Sequence, residues 1–154
     1  MARPTESDIR LGAKILTWIG IINQLSTTRI TRALAPLKLP HPQFVMLVHF
    51  THRQDEPQTV MRVASAMQQP QPGITKTVQK MLLKKLLRTA PAPDDARSKL
   101  LYLTPKGIEM HGKAMAALVP VFRELFEPWS EADMSDLIGK LDRLKVWLDT
   151  KGRE

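Results

Sequence analysis

Residues 72–107 read PGITKTVQKMLLKKLLRTAPAPDDARSKLLYLTPKG. Ile74, Val78, Met81 and Leu82 recur at helical spacing and share one face. Lys76, Gln79 and Lys80 take the opposite face, with Thr75 at its edge. Pro72 suits the opening turn of this helix, because its missing N–H would find no partner there in any case. A short apolar run, Leu86–Leu87, then leads into a Pro/Asp loop over Pro91–Asp95. The chain returns as Lys99–Leu103, which suits a strand, and Thr104–Pro105 opens another helix. The outward face of the first helix carries Lys, Gln and Thr, unlike the Glu/Lys mixture of an ordinary solvated face.

Immediately upstream, Thr59 is placed to cap a short helix, Val60–Met67, with Val60, Val63, Ala64 and Met67 inward. Gln68–Pro72, QQPQP, is too short and proline-rich to be anything but a turn. A short helix, a tight turn and a second helix with a basic outer face make a helix-turn-helix. The strand, loop and strand that follow add the plan of a wing.

The flanks are helical. Asp8–Ala35 carries Leu11, Ile15, Trp18, Ile22 and Leu25 at alternating spacings of four and three, the seam of packed helices, with Ile19 widening it. Pro36 stops this helix. After the break Leu39–Pro42, a second helix is predicted over Pro42–Arg53 with Phe44, Leu47, Val48 and Thr51 on one face, then a polar turn over Arg53–Gln58. Beyond the wing, a helix over about Pro105–Glu127 aligns Ile108, His111, Met115, Leu118, Phe122 and Leu125, with Pro120 expected to kink it. Ser130, with Asp133 three residues on, is placed to cap a last helix whose seam is Met134, Leu137, Leu141, Leu144 and Leu148. The predicted fold is therefore mainly α: a winged helix-turn-helix lobe over about residues 40–103, with a small two- to three-stranded β-wing. N- and C-terminal helices flank it, over about 8–36 and 105–150, in a single protomer. Seams this long on both ends of the chain predict a two-fold homodimer built from the first, fifth and sixth helices.

The 154 residues are 43% hydrophobic and 25% charged, which sets the chain apart from disordered sequences. The absence of cysteine excludes a disulfide scaffold, a thiolate zinc site and a cysteine redox switch. The N-terminus MARPTESD has no apolar signal core, and no run approaches the roughly 20 apolar residues of a membrane span, so a cytoplasmic protein without membrane contact is expected. The net charge is +8, and its placement is uneven. No acid occurs between Glu56 and Asp94, a stretch holding Arg62, Lys76, Lys80, Lys84, Lys85 and Arg88, whereas acids outnumber bases from Glu124 onward. The middle of the chain thus suits a polyanion. His49 and His52 have a spacing compatible with metal binding on a helix, but no third ligand is tied to them and no metal or cofactor is expected. His111 reads as structural. With no phosphate-binding glycine loop and no Ser/His/Asp pattern, an enzyme is not expected either.

Val63–Gly107 resembles the winged-helix core of the MarR family of transcriptional regulators. The elements that carry the resemblance are Val63-Ala64, Ile74-Thr75 at the start of the basic helix, the wing motif Asp95-Ala96-Arg97, and Leu103-Thr104-Pro105-Lys106-Gly107, which has the form Leu-Thr-x-x-Gly. Helix order and length extend the likeness over nearly the whole chain. Two positions depart from the family pattern: Lys85 stands where a Gly usually precedes the first wing strand, and Ala90 where many relatives carry a basic residue. The reactive N-terminal cysteine of the family's peroxide sensors has no counterpart.

The resemblance implies a regulator, most readily a repressor, that binds double-stranded DNA as a dimer on an imperfect palindrome with half-sites about 10 bp apart. Lys76 and Lys80, one helical turn apart, are then placed to reach bases or phosphates in a major groove, while Thr75 and Gln79 offer hydrogen bonds to base edges or phosphate oxygens. Arg97 is placed to enter a narrow minor groove, Asp95 to orient it, and Lys99 and Arg62 to meet phosphates. The resemblance also implies a small aromatic or phenolic effector between dimer helices and DNA-binding lobe, with Trp18 and His41 as candidate lining. A different class of function, a winged-helix module whose basic face meets an acidic protein, is the alternative.

Overall fold

The computed structural model describes residues 5–54, 56–95 and 97–153. Two compact units divide between Val121 and Phe122. The elements are α1 (Glu6–Leu34), a 3-10 turn (Ala35–Leu37), α2 (His41–Thr51), α3 (Val60–Met67), α4 (Gln71–Leu83), β1 (Leu87–Pro91), β2 (Lys99–Leu103), α5 (Pro105–Phe126), α6 (Glu131–Thr150) and a closing 3-10 turn (Lys151–Arg153). The expected order of helices, hairpin and helices is present. None of the helices is long and apolar enough to cross a membrane, among the described residues.

The boundaries follow local chemistry. Thr5 and Asp8 form a reciprocal capping box, which starts α1 two residues before the seam pattern suggests. Thr59 accepts the backbone N–H of Arg62 and opens α3 where expected. Helix α4 starts at Gln71, inside the stretch predicted as turn, because Pro72 is compatible with a first turn and leaves only Gln68–Pro70 for the connection. Helix α5 runs through Pro120. At the head of α6, the Ser130 hydroxyl and the Asp133 carboxylate cap one another's backbone N–H groups. The polar turn predicted over Arg53–Gln58 includes Asp55, which lies outside the described residues, as does Ala96 of the wing motif.

One core joins the first unit. Leu34 of α1, Phe44, Met46, Leu47 and Phe50 of α2, Val63 and Ala64 of α3, and Ile74, Val78 and Met81 of α4 are buried together with Leu86, Leu87, Leu101, Ala114 and Leu118. Each fully buried Leu, Ile or Phe contributes about 1.5–3 kcal/mol of transfer free energy, so it is this set that holds α4 in place. Val60 and Met67, expected inward on α3, pack half-buried at its margin. The sheet is a two-stranded antiparallel hairpin with Leu87 opposite Leu103 and Pro91 opposite Lys99. A single bridge between Gln58 and Leu101 supplies the trace of a third strand. Gln58 is buried, and its Oε1 accepts a hydrogen bond from His49 Nε2 at 2.8 Å, while Arg53 Nη1 faces His49 Nδ1 at 3.4 Å. His49 is thereby committed to the α2–β2 junction. Among the described residues no cluster of His, Cys, Asp or Glu has the makings of a metal site.

Two junctions set the wing. At the end of α4, the Lys85 N–H reaches Leu82 O and the Leu86 N–H reaches Met81 O, both at 2.9 Å, with Lys85 at φ 60°. This is the Schellman arrangement, which favours glycine at the left-handed residue. Lys85 makes this turn at a conformational cost that glycine would not bear. Lys85→Gly is expected to raise unfolding free energy by about 1 kcal/mol, read from chemical denaturation. At the start of α5, the Thr104 hydroxyl donates to the carbonyls of Lys85 and Leu86 at 2.7 and 3.0 Å and accepts the Gly107 N–H at 3.0 Å. Thr104 therefore caps α5 and ties it to the root of β1. Gly107 lies so close that a Cβ there would stand 2.3 Å from Leu86 O. The Leu-Thr-x-x-Gly motif is, in this chain, a latch between wing and helix.

Burial, and secondarily the charge of His52, hold the His111 imidazole below its usual range. The folded chain thus binds this proton less readily than the unfolded chain. Its contribution to stability is complete above the ordinary imidazole range and is lost as pH falls through the depressed one. In a series of Tm against pH, His111→Gln is expected to flatten that decline.

Candidate nucleic-acid interface

Helix α4 presents its candidates as expected. Ile74, Val78 and Met81 are buried; Lys76, Gln79 and Lys80 are exposed and Thr75 is intermediate. Gln71, Pro72, Thr75, Lys76 and Gln79 line one open concavity along the first half of the helix. Thr77 is turned to its own backbone, donating to Gly73 O at 3.1 Å, and so does not compete for that surface. Arg62 lies exposed in the first turn of α3. None of Lys76, Lys80, Arg62, Arg97 and Lys99 forms an ion pair among the described residues. Their charge is available to an external anion.

Lys84, one of the cations of the acid-free stretch, is employed differently. Its Nζ donates to Lys38 O and to Gln43 Oε1, both at 2.7 Å, joining the end of α4 to the start of α2. Burial and, next, the charge of Lys80 lower its pKa. The sequence offers no sign of this tie, because the partners lie 46 and 41 residues away.

The wing is built by the Asp95 carboxylate. Its Oδ1 accepts the Arg97 backbone N–H at 2.9 Å and its Oδ2 accepts the Ser98 hydroxyl at 2.8 Å, while Ser98 N–H reaches Asp95 O at 3.0 Å. These bonds hold the carboxyl below its ordinary pKa, the Arg97 N–H contributing most. Asp95 acts on the backbone of Arg97, whose guanidinium makes no ion pair with it. Arg97 is exposed in the loop that closes the hairpin, near Lys99. Because the folded pKa is depressed, the turn's carboxylate bonds persist above the ordinary carboxylate range and are lost as pH falls through the depressed value. Further down the hairpin, Arg88 stacks on Tyr102, its cross-strand partner, with the guanidinium carbon 4.4 Å from the ring centre. Only the strand register reveals this pair, which is worth about 0.5–1 kcal/mol at an exposed site.

The two candidate effector residues are not brought together. His41 lines a cavity of about 120 Å³ with Pro42, Val45, Met46, Met67, Gln69, Ile74 and Thr77, between α2 and the helix-turn-helix. Trp18 is absent from that lining; it is half-exposed on α1, with the Lys14 ammonium 5.8 Å from its ring.

Solved proteins share this arrangement of helices and hairpin. The transcriptional regulator BldR from Sulfolobus solfataricus superposes with a TM-score of 0.77 over 93% of this chain and 99% of its own, at 23% identity. This is the MarR-type winged-helix fold. MarR from E. coli gives a TM-score of 0.73 over 83% of this chain and 93% of its own, at 19% identity. A mutant MepR from S. aureus gives 0.69 over 87% and 96%, also at 19%. No protein-family model and no curated protein matches the chain by sequence. In the MarR-type frame the six helices and two-stranded wing are accounted for, and the basic face of α4 takes the second-helix position of the helix-turn-helix.

Proposed function

We propose that this protein is a double-stranded-DNA-binding transcriptional regulator, a homodimer acting as a repressor on a palindromic operator. The observation that carries the reading is the exposed, unpaired Lys76–Gln79–Lys80 face of α4, accompanied by an arginine at the tip of an ordered wing. Of the similar structures, a mutant MarR is complexed with operator DNA and a mutant MepR is bound to an oligodeoxyribonucleotide. In this reading Thr75, Lys76, Gln79 and Lys80 address the major groove, Arg97 a minor groove, and Lys99 and Arg62 the phosphates, with Asp95 fixing the backbone that carries Arg97.

Dimerisation is supported by apolar residues left in solvent. Leu11, Ile15, Trp18, Ile22 and Leu25 on α1, and Leu137, Leu141 and Leu148 on α6, are all exposed. Surfaces of this kind are normally covered by a partner. A second copy covers the same surface on both chains and sets the spacing of two recognition helices.

The test is titration of duplexes from the DNA flanking the protein's own gene, read by mobility shift with excess competitor. Lys76→Ala and Arg97→Ala are each expected to weaken binding by about 1–3 kcal/mol with folding intact. Affinity should also fall steeply with salt, as phosphate neutralisation releases counterions. Unchanged affinity in both variants, or a flat salt response, overturns the assignment.

A further inference from the structure

The end of α4 is held by more than its packing face. Lys84 is the C-cap residue of α4, and its backbone N–H donates to Lys80 O at 3.1 Å. Its Nζ donates to Lys38 O and to Gln43 Oε1, each at 2.7 Å. These acceptors stand on the two sides of the connection between α1 and α2. Lys38 closes the 3-10 turn that follows α1, at φ 52°, with its N–H bonded to Ala35 O at 2.9 Å. Gln43 lies in the first turn of α2 and is buried. Of the α4 side chains, Thr77 turns to its own backbone, and Lys84 is the one that hydrogen-bonds another element, among the described residues. Apolar packing holds Ile74, Val78 and Met81 to the core, but such packing is non-directional. Two charge-assisted bonds at one end of the helix are directional, and fix its angle and its axial position. Burial and, next, the Lys80 charge lower the Lys84 pKa, as befits an ammonium withdrawn from the solvent that Lys76 and Lys80 face.

We propose that Lys84 is a positioning residue for DNA recognition: without touching DNA, it sets how α4 sits on the α1–α2 connection, and so how far apart the two recognition helices of a dimer stand. This role rests on the DNA-binding homodimer reading. Helix α1 carries the exposed seam and runs directly into the connection that Lys84 grips. A shift of α4 against that connection therefore moves each recognition helix relative to the two-fold axis. Half-sites at a fixed helical spacing tolerate little such movement. Lys76 and Lys80 bring charge to the duplex, whereas Lys84 brings geometry. The two roles leave different traces, because only a phosphate contact changes the number of counterions released on binding.

The experiment compares full-length variants on the duplex that binds the parent most tightly in the flanking-DNA titration, and on the same duplex with one base pair inserted between the half-sites. Lys84→Met alone leaves the buried Gln43 Oε1 without its partner, so Lys84→Met combined with Gln43→Leu, which removes both groups, is tested beside it. The double variant is expected to keep a parent-like circular dichroism spectrum and Tm, and to lose about ten-fold in affinity for the duplex. Its slope of log affinity against log salt is expected to equal the parent's, whereas the slope for Lys76→Ala falls by about one. The inserted base pair is expected to penalise the double variant less than it penalises the parent. Parent-like affinity, a slope reduced as in Lys76→Ala, an undiminished insertion penalty, or a double variant that no longer folds each overturns the positioning role. A parent that binds no duplex removes the DNA-binding reading itself, and this role with it.

Discussion

Replacing Gly107 by alanine is expected to cost about 3 kcal/mol of unfolding free energy, with a fall in Tm that differential scanning calorimetry reads directly. A Cβ at this position would meet Leu86 O at 2.3 Å and Leu103 Cδ1 at 2.6 Å. The first of these is backbone, fixed by its bonds to the Thr104 N–H and hydroxyl. It cannot swing aside as the end of a flexible side chain would. Relief requires α5 to move off β1, which breaks the Thr104 latch and loosens Leu86, Leu87 and Leu101 in the core. The control is Gly73→Ala. Gly73 is also helical, but a Cβ there meets nothing within 4 Å. That variant should instead gain about 0.5–1 kcal/mol from the better helix propensity of alanine. The opposite signs separate a packing requirement from a generic effect of removing glycine. A neutral Gly107→Ala would mean that wing and helix are not in the contact described.

On the proposed function, Ile22→Asp is expected to abolish the homodimer and, with it, about two orders of magnitude of operator affinity, since a dimer bound at two half-sites gains from linking them. Ile22 lies in the middle of the α1 seam and is 61% exposed. It makes no contribution to the buried core of the first unit, so the substitution leaves the chain folded. In a two-fold interface each substitution appears in both copies, placing carboxylates in an apolar surface where desolvation is unfavourable. Light scattering reports the mass and mobility shift the affinity. A dimer that survives Ile22→Asp places the partner surface elsewhere than on this seam. A monomer with parent-like operator affinity leaves dimerisation unconnected to recognition.

Periodic residues were the legible part of this molecule. The α4 face pattern, the Thr59 and Ser130 caps, the strand Lys99–Leu103 and the seams of α1 and α6 are local or periodic features, and one sequence suffices to display them. The departure at position 85 was visible only against the family pattern, and it is the fold that shows Lys85 making the turn at positive φ. Less legible were start points within proline-rich turns: Pro70 and Pro72 are compatible both with a loop and with the first turn of α4, and local pattern does not separate the two.

Local chemistry by itself therefore determined the helices, the hairpin and the acid-free basic face, because each depends on neighbours within a few residues. Tertiary structure decided what individual side chains do. Only the fold shows that Lys84 is a tie between α4 and α2 and not simply another cation of the basic run, that Arg88 rests on Tyr102, and that Gly107 is small because a carbonyl lies against it. The physical reason is common to all three. Hydrogen bonds, ring contacts and steric limits act over a few ångströms in space, and the chain separation of the groups they join carries no signal of that proximity.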